Sequence, residues 1–152
     1  MLVVRIREGI VQHFPVRQVE WLMVYPALGM WMAFNIQRDM FSTSPSFTVL
    51  ARWADEEVWA WLCLCCGLCR LIALSVNGTF RHTFPYTPHM RVAASFIGIM
   101  FWSQFTLGFF QAYMNEHGAF SAVIAYSSFC LAELINTYRS WSDVGATHQR
   151  GK

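Results

Sequence analysis

Four apolar stretches separated by polar segments dominate the pattern along the chain. They cover residues 21–36, 58–76, 92–114 and 118–137. A bilayer core is about 30 Å thick, and a helix crosses it with about 20 residues. The last three stretches are long enough to cross. The first is shorter and contains Pro26, which is typical of a kinked span in a thinned bilayer or of a re-entrant segment.

The four stretches are apolar all round. Strands of a membrane barrel alternate apolar and polar residues over about ten positions. Helices and closed barrels are the two structures that satisfy the backbone within lipid. We therefore expect an all-α fold, a bundle of four transmembrane helices that forms one membrane domain over residues 1–152.

The composition excludes several classes of protein. The chain has 152 residues, of which 55% are hydrophobic and 13% are charged. A soluble domain carries about 25% charged residues, so too few polar side chains remain here to cover a water-facing surface. The net charge is +2 and no block of Lys or Arg is present, which argues against a nucleic-acid partner.

The cations between the apolar stretches predict the orientation in the membrane. One side would carry Arg5, Arg7, Arg17, Arg81, Arg91, Arg139, Arg150 and Lys152. The other side would carry only Arg38 and Arg52. Because cytoplasmic segments are rich in Lys and Arg, we expect both termini in the cytoplasm, with residues 138–152 as a cytoplasmic tail.

Two further segments have an amphipathic pattern. Residues 1–20 carry apolar side chains at helical spacing, at Val3, Ile6, Ile10 and Phe14. They predict an interfacial N-terminal helix, with a short strand as the alternative. Residues 44–54 predict a segment that lies on the outer membrane surface. Nearby, Trp53, Trp59 and Trp61 suit the headgroup layer as interfacial aromatic residues.

Two charged residues, Arg70 and Glu133, fall inside the predicted spans. A charge at the bilayer centre costs about 2.5–3.5 kcal/mol on insertion scales, so such residues pair or line water. The helical rise puts both at nearly the same depth in the cytoplasmic third. One interpretation is a polar site or water-filled vestibule, with Gln104, Asn136 and Asn77 as a polar wall. The other is a structural salt bridge with Arg70 snorkelling to the headgroups.

Small residues recur at alternating spacings of four and three, the pattern of a helix-packing seam. The third stretch has Ala94, Gly98, Gly108 and Ala112, and the fourth has Ala122, Ala125 and Ala132. Small side chains let helix backbones approach closely in lipid. The seams predict packing within one bundle, or contact with a second copy of the chain.

The sequence contains no recognisable catalytic grouping. Cys63, Cys65, Cys66 and Cys69 crowd into one apolar stretch, where cysteine acts as a small packing residue. The histidines lie outside the apolar stretches, and no phosphate-binding glycine loop is present. We expect no enzyme activity, no cofactor and no metal site.

Residues 51–78 read ARWADEEVWAWLCLCCGLCRLIALSVNG. Arg81 follows, and Arg91 opens a helix that contains the pair Phe101 and Trp102. This pattern over residues 51–110 resembles small polytopic membrane proteins encoded by bacteriophages and prophages, often described as holin-like. The resemblance implies a protein of the host inner membrane that acts in lysis or alters the envelope.

Two functions follow as expectations. In the first, copies of the chain self-associate in the bilayer and perturb or permeabilise the host inner membrane. In the second, the chain binds another membrane protein without forming a pore, as a superinfection-exclusion factor or a subunit of a membrane complex. The expected partners are the lipid bilayer and either a homo-oligomer or another membrane protein.

Overall fold

The computed structural model describes residue 11, residues 14–79 and residues 86–150. Regular structure in these ranges is entirely helical, which confirms the predicted all-α class. The helices are α1 (Gln18–Leu22), α2 (Val24–Ile36), α3 (Met40–Thr43), α4 (Thr48–Trp53), α5 (Glu56–Thr79), α6 (Thr87–Asn115) and α7 (Phe120–Arg150), with a 3-10 helix at Pro45–Phe47. Most of the predicted interfacial segment, residues 1–20, lies outside the described residues.

Within the residues that the structure describes, three helices are long and apolar enough to cross a membrane. The candidate spans are Glu56–Asn77 in α5, Thr87–Asn115 in α6 and Phe120–Gly145 in α7. Each is longer than its predicted stretch. By contrast, α2 has 13 residues and covers about 20 Å, less than the bilayer core. The fourth span therefore stays a prediction.

The first apolar stretch is divided between α1 and α2. Pro26 lies in the first turn of α2, where its missing N–H would have no partner within the helix. Arg17, just before α1, contacts Asn77 at the end of α5. Near the end of α2, the rings of Phe34 and Phe47 lie 6.0 Å apart. Together α1 and α2 therefore follow the bundle from one end to the other.

Aromatic rings fill one half of the bundle, here called the aromatic half. Phe105 of α6 stacks on Tyr126 of α7 with ring centroids 5.2 Å apart, and Phe109 lies 4.6 Å from the same tyrosine ring. Trp102 lies 5.0 Å from Phe129. These contacts fix how α6 and α7 are rotated against each other.

The connection between α2 and α5 packs onto the aromatic half. Leu50 of α4 is fully buried and lies against Gly108, where an added Cβ would be 2.8 Å from Leu50 Cδ2. The indole N–H of Trp59 donates to the carbonyl of Leu50 at 3.1 Å. Residues 44–54 therefore cover the end of the bundle and insert a side chain into it, since glycine leaves room there.

A tight turn joins α6 and α7. His117 has a φ of 59°, in the left-handed region. The N–H of Gly118 donates to the carbonyl of Ala112 at 3.0 Å, and a Cβ at Gly118 would lie 3.0 Å from the backbone of Ala112. The helix that follows runs to Arg150, so residues 138–150 of the predicted tail continue α7.

The outward surface of the three long helices is apolar. Monomeric soluble proteins rarely expose large contiguous apolar patches, whereas lipid-facing helices do so throughout. The exposed side chains include Ile72, Phe96, Met100, Leu107, Leu131 and Ile135. This surface agrees with a membrane protein.

Candidate functional site

Polar residues from four helices meet inside the other half of the bundle, here called the polar half. On α7 they follow spacings of three, four and three, which places them on one helix face. All of these residues are buried except Asp143, whose side chain is 46% exposed. This polar network consists of Arg17 and Glu20 near α1, Arg70 and Asn77 on α5, Thr87, Arg91 and Ser95 on α6, and Glu133, Asn136, Ser140 and Asp143 on α7.

The predicted pair, Arg70 and Glu133, forms an ion pair between Nη2 and Oε2. The two side chains are 4% and 1% exposed. Arg70 also donates to Ser95 Oγ and to the carbonyl of Ala94, each at 3.3 Å. One guanidinium therefore joins α5, α6 and α7. It binds inside the bundle, so the expectation that it snorkels to the headgroups is wrong.

Gly98 makes this arrangement possible. A Cβ added at this position would lie 2.5 Å from Glu133 Oε1 and 2.7 Å from Glu133 Cδ. The carboxylate can therefore lie against the backbone of α6 only because no side chain is present. The predicted seam residue thus has a second role, because it leaves space for the buried charge.

A second ion-paired group, centred on Arg91, was not predicted. Its guanidinium donates to Glu20 from Nε at 2.9 Å and also from Nη2. Nη1 donates to Asp143 Oδ2 at 2.5 Å. The three charges join α1, α6 and α7. A signal was present for two of them, because Glu20 and Arg91 each lie directly before an apolar stretch.

A third contact links the start of α1 to the connection between α5 and α6. With its amide oriented to satisfy both neighbours, Asn77 accepts from Arg17 Nη2 at 2.9 Å and donates to Thr87 Oγ1 at 2.9 Å. Arg17 and Thr87 are both buried. This contact holds the segment before α1 against the bundle. Arg139 does the same from α7, by donating to the carbonyl of Val16 at 2.9 Å.

The charges within the polar network balance. Its cations are Arg17, Arg70 and Arg91, and its anions are Glu20, Glu133 and Asp143. An unpaired charge in a low-dielectric interior costs several kcal/mol. Because the charges balance and all three anions are paired with Arg70 or Arg91, they can lie inside a bundle that is otherwise apolar.

Two buried oxygen atoms in the network have no hydrogen-bond partner among the described residues. They are Asn136 Oδ1 and Ser140 Oγ. Asn136 donates from its amide nitrogen to Glu133 Oε2 at 3.3 Å, so its amide is bonded on one side only. Both residues are 0% exposed.

The remaining predicted polar residue, Gln104, does not join the network. It is half-buried on α6, and no hydrogen bond connects its side chain to the part of the chain that the structure describes. Its neighbours Trp102 and Phe105 belong to the aromatic half. Of the predicted polar wall, the structure therefore brings together Asn77 and Asn136 but not Gln104.

The residues of the predicted seam are buried on α6 and only partly buried on α7. Ala94, Gly98, Gly108 and Ala112 are all buried, Ala122 and Ala132 are half-buried, and Ala125 is exposed. The reason is Tyr126, whose ring packs against Phe105 and Phe109 and turns the adjacent alanine outward. The face through Tyr126, Phe129 and Glu133 packs against the bundle in its place, with Glu133 buried and both rings half-buried.

One interfacial tryptophan is also placed differently from the prediction. Trp53 and Trp61 are 45% and 58% exposed, as headgroup contact requires, but Trp59 is 5% exposed. Its ring lies 5.0 Å from Phe105, and its N–H reaches a carbonyl inside the bundle. Because the carbonyl of Leu50 supplies a buried acceptor for the indole N–H, Trp59 can lie inside the bundle and not at the headgroup layer.

A cleft of about 420 Å³ lies at the far end of the aromatic half. Its lining combines acids with one arginine and includes Asn35, Arg38, Asp55, Glu56 and Glu57. One oxygen of Glu56 accepts from the backbone N–H of Phe41 at 3.2 Å. The cleft connects the end of α2 to the beginning of α5.

The described residues contain no group of three His, Cys, Asp or Glu side chains placed to hold a metal ion. The cysteines are free, with Cys63 buried and Cys65 and Cys69 exposed. Comparison of the chain with protein-family models, with curated proteins and with solved structures gives no match. The polar network and the lipid-facing surface are therefore the features from which a function is argued.

Proposed function

We propose that this chain is an integral protein of a bacterial inner membrane, similar to phage-encoded holin-like proteins, and that it self-associates and permeabilises that membrane. Its three candidate spans and their apolar outward surface support membrane insertion. The proposal has three parts, which are topology, assembly and permeabilisation.

In the proposed topology both termini are cytoplasmic and α1 with α2 makes a fourth crossing. Two observations support it. The polar half contains the starts of α1 and α6 and the later part of α7, with Arg17, Arg91 and Arg139. The opposite end carries Arg38 and Arg52. This distribution follows the excess of cations expected on the cytoplasmic side.

Assembly uses the outward face of α7. The observation that carries this part is the poor coverage of this helix: 17% of its apolar stretch is buried within the chain, against 44% for α5 and for α6. Its exposed flank offers Ser121, Ala125 and Ser128 at spacings of four and three. Small residues at such spacings allow two helices to approach closely in lipid.

Permeabilisation requires α7 to separate from α6 in the assembly. In a single copy the polar network points inward and is closed by the aromatic half. Movement of α7 would expose Glu133, Asn136 and Ser140 to the space between copies. These groups would then form the polar wall that admits water.

A second candidate is a membrane-embedded partner-binding protein without pore activity. The observation that favours it is the internal pairing of Arg70 with Glu133 and of Arg91 with Glu20. A bundle whose charges are satisfied inside one copy presents no polar face to a pore. Its exposed α7 would then bind a different membrane protein.

Disulfide cross-linking tests the assembly. In a chain whose five cysteines are replaced by alanine, Ser128→Cys places one thiol on the exposed flank of α7. Leu107→Cys is the control, because Leu107 is exposed on α6 at a similar distance from the turn between α6 and α7. Oxidation in membranes should give dimers with the first variant and few with the second. Equal cross-linking by both, or by neither, contradicts assembly through α7.

Dye entry tests the permeabilisation. Bacteria that express the chain should admit a membrane-impermeant dye, and Ala125→Leu should prevent this by separating the copies. The matched control is Ile124→Leu, which changes an exposed apolar residue of α7 without adding volume. Dimers without dye entry would reject permeabilisation and support the partner-binding candidate.

A further inference from the structure

The polar face of α7 continues from the buried ion pair toward the end of the bundle. It consists of Glu133, Asn136, Ser140 and Asp143, and extends about 15 Å along the helix axis. The first three are at most 1% exposed, whereas the side chain of Asp143 is 46% exposed. A line of polar groups therefore connects the surface of the polar half to Glu133.

The middle of this line contains the two buried oxygen atoms that have no hydrogen-bond partner in the described part of the chain. Asn136 and Ser140 lie four residues apart on one helix face, so their Cβ atoms are about 5–6 Å apart. Two hydrogen bonds of about 2.8 Å each span a gap of this size. Leaving a buried polar atom without a hydrogen bond costs free energy, and buried water commonly supplies the missing bond.

We propose that water binds between Asn136 and Ser140, and that the polar half is a water-accessible half-channel from Asp143 to the Arg70–Glu133 pair. The inference does not depend on permeabilisation, because it concerns a single folded copy.

The charge balance of the polar network favours a neutral ligand. Its three cations and three anions already balance, since Arg70 and Arg91 pair with all three anions. A bound metal cation or anion would therefore introduce an uncompensated charge. The guanidinium of Arg91 lies beside Asp143 and also disfavours entry of a cation. Water donates and accepts, and the two unpartnered oxygen atoms can accept the hydrogens that it donates.

The half-channel ends at the ion pair because the next turn of α7 is aromatic. Phe129 and Tyr126 precede Glu133 on the buried face, and they pack against Trp102 and Phe105. Rings at centroid distances near 5 Å leave no polar partner for water. Water can therefore enter from the end that carries Asp143 and not from the other end.

Thiol accessibility tests the half-channel. Single cysteines, Asn136→Cys and Ser140→Cys, are placed in a chain whose other cysteines are replaced by alanine. A charged, membrane-impermeant methanethiosulfonate reagent is then added to oriented membrane vesicles. Leu134→Cys is the control on the same helix at similar depth, since Leu134 is 52% exposed on the outward surface. A chain that keeps only its native Cys130 reports the aromatic half.

The two buried cysteines should react about tenfold faster than Leu134→Cys, because the reactive thiolate forms in water and not in lipid. The reagent should act from one face of the membrane only, and Cys130 should stay unreacted. Buried cysteines that react no faster than the control overturn the proposal. Reaction of Cys130 at the same rate also overturns it, because the path would then continue into the aromatic half.

A second measurement keeps the proposal testable if those cysteine variants fail to fold. Removal of a buried hydroxyl without a partner stabilises a protein, whereas removal of a hydroxyl bonded to water destabilises it. Ser140→Ala should therefore raise the unfolding equilibrium constant by about twofold or more. A constant that is unchanged or lower overturns the proposal, whatever the outcome of dye entry.

Discussion

Replacement of Arg70 by methionine is the sharpest test of the polar network. The change keeps much of the volume of the side chain and removes its charge and its donors. Glu133 would then retain one described hydrogen bond, from the amide of Asn136 at 3.3 Å. The hydroxyl of Ser95 and the carbonyl of Ala94 would each lose the donor that Arg70 supplies.

The expected cost follows from burial. The side chain of Glu133 is 1% exposed and that of Arg70 is 4% exposed. Removal of one partner of a buried ion pair lowers the free energy of unfolding by about 3–5 kcal/mol, because the other charge stays buried without compensation. The double variant Arg70→Met with Glu133→Leu removes both charges. Its free energy of unfolding should lie within about 1–2 kcal/mol of that of the original chain.

The same chain supplies a control. Arg52 pairs with Glu116 at the opposite end of the bundle, but their side chains are 65% and 32% exposed. Loss of an exposed pair costs about 0–1 kcal/mol. Arg52→Met should therefore change the free energy of unfolding far less than Arg70→Met does.

Reversible unfolding in mixed detergent micelles measures these differences, with circular dichroism reporting helix content and tryptophan fluorescence reporting the aromatic half. The reasoning is refuted if Arg70→Met costs no more than Arg52→Met. The single variant Glu133→Leu is measured as well. The reasoning is equally refuted if the double variant loses as much free energy of unfolding as Arg70→Met and Glu133→Leu lose together, since the two charges would then act independently.

Four further changes, one of them a control, probe close contacts by the same unfolding measurement. Gly98→Leu should lower the free energy of unfolding by about 1–3 kcal/mol, because its side chain would collide with Glu133. Gly29→Ala, whose Cβ meets nothing within 4 Å, should raise it by about 0.5–1 kcal/mol, and equal effects would contradict the packing at Gly98. Leu50→Ala should cost about 2–5 kcal/mol as a fully buried side chain; a loss below about 1 kcal/mol would mean that α4 does not pack tightly. His117→Gly should add about 1 kcal/mol by relieving its left-handed backbone, and a less stable variant would show that the imidazole contributes contacts.

The sequence predicts the features that depend on one helix at a time. The three long apolar stretches are sufficient to predict three long helices, because length and composition decide that outcome. The common depth of Arg70 and Glu133 is also predictable, since it follows from the regular helical rise alone.

Features that depend on how helices rotate against one another are not predictable in this way. A spacing of four and three fits the face through Ala125 as well as the neighbouring face through Tyr126. Ring contacts with Phe105 and Phe109 on another helix decide between them. A single helix therefore does not reveal which of two adjacent faces is buried.

The group around Arg91 shows a second limit. Glu20 is assigned from its sequence to an interfacial segment, and Asp143 to a tail outside the membrane. These two acids are bonded because Arg91, on a different helix, donates to both. Pairing across distant parts of the chain is not visible in local pattern.

The charge balance of the polar network has a consequence for the electric field across an energised membrane. Such a field does work of about 2.3 kcal/mol per 100 mV on each elementary charge that crosses the whole bilayer. On a network that holds three cations and three anions, with Arg70 and Arg91 bonded to all three anions, these forces largely cancel. The folded bundle should therefore keep one structure in both energised and de-energised cells, and voltage should act on it only through a movement that first pulls the paired charges apart.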